Sequence, residues 1–484
     1  MKPMNGFTTP RREGVPENCL AVDLIHRAVK RLFEGDQEEG PVAPQIKVIN
    51  LSIGDPTRQF AQAMSPLARL LDWLSVKYGV LFIVSAGNHP ESISLGVSRT
   101  EFTALPADEF EAVTIKALYR DARNRRLLSP AETINGISVG AVHSDEAQVA
   151  YQGNRIEPFV HLLPSPVSAF GSGYRRAIKP DIIFYGGRQW YREHLPSTDP
   201  VTIETVNYCI APGNKVASPG KFPGELRNTS YSRGTSNATA LISRAAGICY
   251  DSLQQIFNEQ AAEVDPSNYE VPLLKAMLIH GSSWGDIGSQ LSDVLRTPGN
   301  GHQLKGLISR WIGYGVPRVD RVLDCTEQRA TLLGFGQLSD GEAHVFRLPL
   351  PPSLSARPEW RRLTVTLAWL SPISPNNQKY RNASLWFEIN NDRLTLSRSD
   401  ADRNAVRRGT VQHEVFEGQS ADPFIDGERL EIKVNCRNDA GIIPNPVAYG
   451  LVVSLEVAEG VDIAVYNEIR AQIAPAIQIQ QATD

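Results

Sequence analysis

Short apolar runs alternate with helical segments over the first two thirds of the chain, and this alternation is the strongest constraint on its fold. Residues 47–54, 80–88 and 135–142 are such runs, rich in aliphatic side chains, and each has the length of a strand buried on both faces. Ser65 and Pro66 supply a cap and a first-turn proline for a helix between the first two runs. The alternation extends to about residue 325, so it predicts a parallel sheet covered by helices.

Beyond residue 330 the hydrophobic period changes to two. Apolar side chains alternate with Thr and Ala over residues 363–369, and they recur at every second position over residues 430–436 and 449–455. This is the period of half-buried antiparallel strands. The sequence therefore predicts an α/β domain over residues 1–330, followed by an antiparallel, jelly-roll-like β-sandwich over residues 331–484.

A serine lies between small residues at the start of a long apolar helix. Residues 234–240 read Gly-Thr-Ser-Asn-Ala-Thr-Ala and continue into the apolar residues 241–249. Free N–H groups and the positive end of the helix dipole would face any oxyanion formed at Ser236, which suits acyl transfer. The alternative is that Ser236 is only a helix N-cap, because serine is a favoured cap residue.

This segment resembles the nucleophile motif of subtilisin-like proteases, usually Gly-Thr-Ser-Met-Ala-Thr-Pro. Asn237 and Ala240 depart from that pattern, at positions that carry no chemistry. Further blocks similar to those of the family occur in the family's order, at residues 47–54, 80–88, 135–142, 177–183, 273–280 and 311–317. The resemblance implies a subtilisin-like, three-layer parallel-sheet domain that lacks its N-terminal part, and a serine endopeptidase that acts through an acyl-enzyme.

The resemblance also implies roles for individual residues. Ser236 would be the nucleophile, and the Asn88 amide would donate to the oxyanion. The alternative for Asn88 is a turn residue before Pro90. The residues expected to bind substrate are Leu51, Ser52, Ile53 and Gly54, which would pair with the peptide backbone, together with Ala86 and Gly87.

Two members of the catalytic triad have no counterpart in the sequence. In subtilisins Asp and His precede the substrate-binding strand, yet neither Asp-Thr/Ser-Gly nor His-Gly-Thr occurs in the 484 residues. Asp23 and His26 fall on an amphipathic helix over residues 20–33, which favours a surface pair. The remaining histidines follow in the wrong chain order: His89, His143, His161, His194, His280, His302, His344 and His413.

Two explanations fit this gap. Residues 1–12 resemble the middle of a polar loop, which favours an N-terminally incomplete subtilisin-like peptidase. The alternative is a non-catalytic pseudoprotease that binds peptides or serves as a scaffold. Either way, we expect the chain alone to be close to inert, because loss of a triad member leaves only about 10³–10⁴-fold catalysis over water.

Composition limits the partners. The net charge of −4 gives no reason to expect nucleic acid or an anionic membrane, and no apolar run reaches the roughly 18 residues of a membrane span. Cysteines 19, 209, 249, 325 and 436 are scattered without metal-ligand spacing. Their odd, sparse number favours a reducing compartment. We therefore expect a cytoplasmic protein with a polypeptide substrate and with neither metal nor cofactor.

Two insertions and two tryptophans complete the expectations. Residues 108–128 are charged and helical in character, whereas residues 187–233 are polar and rich in Pro and Gly. The second insertion precedes Ser236, so it forms either a lid over the cleft or a surface loop. Trp369 and Trp386 are interpreted as core residues rather than ligand platforms.

Overall fold

The computed structural model describes most of the chain. The described residues are 14–16, 18–36, 39–148, 153–206, 210–220, 222–259, 265–390, 397–398, 400–401, 403–420, 423–425 and 427–472. The opening segment, Cys209 and part of the second insertion lie outside these residues. The chain divides into two compact units, residues 1–46 and residues 47–484.

The secondary structure alternates as expected before residue 325 and becomes mainly β after it. The helices are α1 (Ala21–Phe33), α2 (Pro66–Tyr78), α3 (Arg99–Ala104), α4 (Ala107–Arg120), α5 (Thr235–Glu259), α6 (Glu270–His280), α7 (Gly285–Leu295), α8 (Gly301–Ile312), α9 (Asp320–Leu323) and α10 (Arg403–Val406). The strands up to residue 320 are β1 (Val48–Leu51), β2 (Asp55–Gln59), β3 (Leu81–Ser85), β4 (Ile93–Ser94), β5 (Leu128–Ser129), β6 (Ile137–Val142), β7 (Gly171–Ser172), β8 (Ile178–Lys179), β9 (Ile182–Tyr185), β10 (Tyr191–Glu193), β11 (Thr202–Thr205), β12 (Asn214–Ala217), β13 (Thr229–Ser232), β14 (Ser282–Ser283) and β15 (Val316–Pro317). The later strands are β16 (Arg329–Leu338), β17 (Ala343–Pro349), β18 (Arg361–Trp369), β19 (Ala383–Asn390), β20 (Ser397–Arg398), β21 (Val411–Gly418), β22 (Arg429–Asn438) and β23 (Val447–Val457).

The first unit contains the amphipathic helix that the sequence predicts, α1. Asp23 is exposed, and its carboxylate lies 3.0 Å from the guanidinium of Arg27, one turn further along the helix. His26 is half-buried. Asp23 is thus a surface residue, as expected.

The second unit is built on a four-stranded parallel sheet in the order β1-β3-β6-β9. Helix α5 packs against all four strands, and every residue of β3 and β6 is buried. Burial on both faces explains why these segments are continuous apolar runs. Within the described residues, β1 is an edge strand that pairs with β3 alone.

Local signals in the sequence set the limits of α2. The Ser65 hydroxyl accepts a hydrogen bond from the Ala68 N–H at 3.1 Å, and Pro66 occupies the first turn. Gly79 closes the helix in the left-handed conformation, at φ 59°. The predicted helix is confirmed at the predicted start.

The two insertions have the following structures. The charged segment 108–128 is largely helix α4, as expected. The segment 187–233 contains strands β10 to β13, and β12 and β13 form a hairpin that ends two residues before α5. The insertion thus carries regular strands that the sequence did not predict.

The C-terminal region forms two antiparallel sheets. Their strand orders are β16-β23-β18-β21-β20 and β17-β22-β19, and side chains such as Leu363, Phe387 and Ile432 belong to one core cluster shared by both sheets. The predicted boundary between residues 330 and 331 falls inside β16, after its second residue. The antiparallel pairing agrees with the sequence period.

The half-buried character predicted for these strands is wrong for β18 and β23. Both are buried on nearly all positions, polar ones included, because helix α6 packs on the face of the sheet that was expected to meet water. His280 at the end of α6 bonds through Nδ1 to Thr366 Oγ1 at 2.8 Å and through Nε2 to Ser454 Oγ at 2.7 Å. These hydroxyls are therefore partners of a buried helix.

A second buried polar group on α6 contacts the same region. The Lys275 side chain is fully buried, and its Nζ donates to Ile134 O at 3.2 Å and to Thr410 Oγ1 at 2.7 Å. Burial lowers the pKa of Lys275 to about 7, while the charge of Asp181 raises this pKa slightly and that of Lys179 lowers it further. These contacts join the loop before β6 to the loop before β21.

Among the described helices, none combines the length and the apolar character that crossing a bilayer requires.

Candidate active site

Three segments that the sequence singles out meet where strands β1 and β3 of the parallel sheet end. Strands β1 and β3 end side by side, because they are parallel neighbours, and α5 begins beside them. Ser236 is the second residue of α5. The Gly234 N–H donates to Gly186 O at 2.8 Å, which fixes the entry of the chain into the helix.

Asn88 is bonded directly to the residue that precedes Ser236. Its Oδ1 accepts from the Thr235 N–H at 2.9 Å and from Thr235 Oγ1 at 3.1 Å. Gly234 has φ +119°, and a Cβ there would lie 2.7 Å from Asn88 Oδ1, so only glycine fits. Oδ1 is thus occupied, and within the described residues Nδ2 remains available as the donor end of the amide.

Ala86 and Gly87 hold Asn88 in position. The Ala86 N–H donates to Val139 O at 2.9 Å, and the Gly87 N–H donates to Thr235 Oγ1 at 3.3 Å. The carbonyl oxygens of both residues also accept internal hydrogen bonds. Both residues are buried, so their backbone groups brace the site and are not free for a bound peptide.

The end of β1 is the more open wall of the site. Leu51 is buried and Ser52 half-buried, whereas Ile53 and Gly54 are exposed. The Ile53 carbonyl accepts from Ser85 Oγ at 3.1 Å. Within the described residues, the N–H groups of Ile53 and Gly54 donate to no protein group, so they can meet the carbonyl oxygens of another chain.

Ser52 and Ser236 are in direct contact. Ser236 Oγ donates to Ser52 O at 3.3 Å. Ser52 Oγ lies 3.3 Å from Ser236 O and 2.7 Å from Asn50 Oδ1, so its single proton has two acceptors within reach. A carbonyl oxygen orients a hydroxyl but is too weak a base to remove its proton at neutral pH. The geometry thus positions Ser236 without activating it.

Within the described part of residues 47–484, no histidine hydrogen-bonds to Ser236. His89 directly follows Asn88, but its Nε2 faces Arg126 O at 2.8 Å, and burial lowers its pKa. His143 pairs with Glu157 and His161 with Glu111. These three imidazole rings therefore have their partners in segments other than the start of α5.

Lys179, Pro180 and Asp181 lie beside the start of β6, where β9 begins. Lys179 Nζ is 2.5 Å from Asp181 Oδ2, and that carboxylate accepts from the Ser138 N–H at 2.7 Å. Both side chains are buried. Their partners belong to the framework of the sheet. Among the described residues, no group of three His, Cys, Asp or Glu side chains could hold a metal ion.

The ordered blocks and this geometry agree with one protein family. The model of the subtilase family (Peptidase_S8) matches residues 20–315. The chain belongs to the subtilase family. Its relatives include an uncharacterized protein, y4bN of Sinorhizobium fredii, which is 25% identical over 401 residues. The alignment covers 82% of this subtilase and 80% of the relative.

Two solved structures align with this subtilase at low similarity. The prenylagaramide maturation protease PagA is 18% identical with a TM-score of 0.27, over 55% of this chain and 60% of that chain. An acidic stable capsid structure of Helicobacter pylori bacteriophage KHP30 is 12% identical with a TM-score of 0.14, over 27% of this chain and 91% of that chain. Neither TM-score supports an argument about this subtilase.

Sequence reasoning missed the part that Thr235 plays in the site. Its hydroxyl donates to Asn88 Oδ1 and accepts from the Gly87 N–H, and the side chain is fully buried. A threonine before a serine at a helix start carries no signal of such a partner, since the partner lies 147 residues away. The link is tertiary and becomes visible only in the fold.

Proposed function

We propose that this subtilase carries the nucleophile and the oxyanion-binding groups of a serine endopeptidase site. Ser236 Oγ would attack the carbonyl carbon of a peptide bond, while the Asn88 amide and the Ser236 N–H stabilise the resulting oxyanion. A base supplied to the site would take the Ser236 proton and return it to the leaving nitrogen, so that collapse of the tetrahedral intermediate expels the amine and leaves an acyl-enzyme for water to hydrolyse. The observation that carries this proposal is the double hydrogen bond from Thr235 to Asn88 Oδ1, which aligns the amide with the start of α5.

The substrate in this proposal is a polypeptide that adds to the edge of β1. The free N–H groups of Ile53 and Gly54 would donate to its carbonyl oxygens, with Leu51 and Ser52 completing the strand end. Hydrogen bonds to the substrate backbone depend little on the substrate's side chains. Such a chain would pass directly over Ser236, because Ser52 and Ser236 are in contact.

The same proposal holds that residues 1–484 hydrolyse peptide bonds very slowly. Attack by a serine requires a base to take the hydroxyl proton. In the described part of residues 47–484 the Ser236 hydroxyl has a carbonyl partner and no imidazole. The described part of residues 47–484 thus combines a positioned nucleophile with no base beside it.

Covalent labelling by a fluorophosphonate tests these roles. We expect slow labelling of Ser236 by the purified chain, and a rate that increases with added imidazole, because free imidazole can replace the missing base. Ser236→Ala should abolish labelling, and Asn88→Ala should lower the imidazole-dependent rate by about 10²–10³-fold, as for other oxyanion donors.

Ser243→Ala is the matched control, since Ser243 lies on α5 and, within the described residues, its hydroxyl bonds to Thr239 O of its own helix alone. It should leave the labelling rate unchanged. Stoichiometric labelling within minutes without imidazole would contradict the missing base. Labelling that is equal in the wild type and in Asn88→Ala would contradict the oxyanion role.

A second candidate is a peptide-binding module that performs no catalysis. The observation that favours it is the hydrogen bond from Ser236 Oγ to Ser52 O, which leaves the hydroxyl on an inert acceptor. Fluorescence anisotropy of a dye-labelled, extended peptide measures such binding. Ile53→Pro removes the exposed N–H and should weaken binding, whereas Ile53→Val keeps it and should not. Binding without labelling at any imidazole concentration would select this candidate.

We also propose a cytoplasmic location and a C-terminal domain of the β-sandwich, jelly-roll type over residues 331–484, one sheet of which packs on α6. The four described cysteines, 19, 249, 325 and 436, are all free thiols, which supports a reducing compartment. The shared core of the two antiparallel sheets supports the sandwich. Fluorescence microscopy of the tagged protein and circular dichroism of the isolated segment test the two statements.

A further inference from the structure

A cavity lined mainly by arginines lies away from Ser236, between the loop before β8 and the C-terminal sheets. Its volume is about 350 Å³, within the usual range of small-molecule sites. Five guanidinium groups line it, from Arg175, Arg381, Arg407, Arg408 and Arg437. They come from four separate segments of the chain, so only the folded structure brings them together.

The carboxylates of the cavity do not balance these charges. Asp439 is shared among cations, at 3.1 Å from Arg381, 3.4 Å from Arg175 and 3.7 Å from Lys379. Glu388, the other carboxylate in the lining, accepts a hydrogen bond from Trp386 Nε1 at 3.1 Å. The lining thus holds more cationic than anionic groups.

Three of the arginines have no carboxylate partner among the described residues. They are Arg407, Arg408 and Arg437. The Arg437 guanidinium lies over the Trp386 ring, 5.2 Å from its centroid, which holds it in place through a cation–π contact. Positive groups that the protein gathers and leaves unpaired favour an anionic ligand.

Arg381 is a buried residue in the lining of the cavity. Only 7% of its surface is exposed, and its guanidinium donates to Arg407 O at 3.2 Å and to Ser384 Oγ at 2.9 Å. The Nε atoms of Arg381 and Arg407 are buried and have no hydrogen-bond partner. Burial lowers the pKa of Arg381, while the neighbouring Asp439 opposes this shift. Buried donors without acceptors are costly, and an anion in the cavity would reduce that cost.

We propose that this cavity binds a small, soluble phosphate ester. Guanidinium groups bind phosphate oxygens through paired N–H donors. One phosphate offers enough oxygens to accept from several of the five guanidinium groups at once. The half-buried Trp386 ring supplies an apolar surface for the organic part of the ester. This site is separate from Ser236, and its test is independent of peptidase activity.

Isothermal titration calorimetry with inorganic pyrophosphate, at low salt, tests the proposal on the full chain. We expect saturable binding that weakens as salt is raised. Arg407→Gln and Arg437→Gln should each weaken binding by about tenfold or more, as expected for the loss of charge-assisted hydrogen bonds. Arg437→Lys keeps the positive charge but lacks the paired N–H donors of a guanidinium group. Its affinity for pyrophosphate should lie between those of Arg437→Gln and the wild type.

The matched control is Arg347→Gln. Arg347 lies on β17 of the same three-stranded sheet, is exposed and pairs with Glu431 at 3.0 Å outside the cavity. It should bind pyrophosphate as the wild type does. Thermal melting without ligand checks that each variant is folded.

Several results would overturn the proposal. These are the absence of pyrophosphate binding by the folded wild type, equal affinity in Arg437→Gln and the wild type, or equal weakening in Arg347→Gln. Citrate provides a second arm, because it carries carboxylates in place of phosphates. Binding of citrate as tightly as pyrophosphate would contradict the assignment to phosphate.

Discussion

Replacing Lys275 with methionine should change how the stability of the protein depends on pH. Lys275 is fully buried between α6 and the loop before β21, and burial lowers its pKa from 10.5 to about 7 in the folded protein. Because the folded-state pKa lies below the unfolded value, the unfolded chain holds more protons between these two values. Stability therefore rises with pH through this window and is lost as pH falls.

The size of the effect follows from proton linkage. With one proton at stake, the free energy of unfolding should rise by roughly 1.4 kcal/mol per pH unit above the folded-state pKa, or about 2 kcal/mol in total between about pH 7 and pH 9. Methionine fills a similar volume and does not titrate. Thr410 Oγ1 still donates to Ile134 O in the variant, so no acceptor is left unpaired.

Urea unfolding at several pH values measures this difference. The Lys275→Met variant should lose about 2 kcal/mol of the rise between about pH 7 and pH 9 that the wild type shows. Lys116→Met is the control, because Lys116 is exposed on α4, and it should keep the wild-type slope. Equal slopes in the wild type and in Lys275→Met would refute the reasoning.

Two further predictions concern the start of α5 and the thiols. Gly234→Ala should destabilise the protein by about 1–3 kcal/mol in urea unfolding, because φ is +119° and the added Cβ would lie 2.7 Å from the amide of Asn88. Gly247→Ala, in open space on α5, should be neutral or slightly stabilising. Equal effects of the two substitutions would contradict the assigned strain. In alkylation followed by peptide mapping, the exposed Cys325 should react first, whereas Cys249 and Cys436 should react only on unfolding, because burial raises the pKa of both thiols to about 12; early modification of Cys249 would count against the packing of α5.

The parallel sheet was predictable because its strands are continuous apolar runs. Burial on both faces leaves a signal that one sequence carries by itself. The face of β18 was misjudged, since Thr364 and Thr366 resemble solvent-facing residues. In the fold, Thr366 bonds to His280 on α6, and only the tertiary structure provides that partner.

The candidate site was predictable in part. The order of the blocks placed Ser236, Asn88 and the end of β1 together, and the fold brings these segments to one sheet edge. The bridging role of Thr235 and the bracing role of Gly87 depend on contacts between distant segments. Trp386, interpreted from the sequence as a core residue, is half-buried and lines the arginine cavity, because alternation alone does not show which face of a strand another segment covers.

The pH dependence of fluorophosphonate labelling at Ser236 tests the central claim most directly. Without a base, the labelling rate depends on the small deprotonated fraction of the serine hydroxyl, so it should rise about tenfold per pH unit with no plateau near neutral pH. The His26→Ala variant should give the same profile as the wild type. A plateau with an apparent pKa near 7, lost in a histidine variant, would show that this chain supplies its own base and would contradict the account.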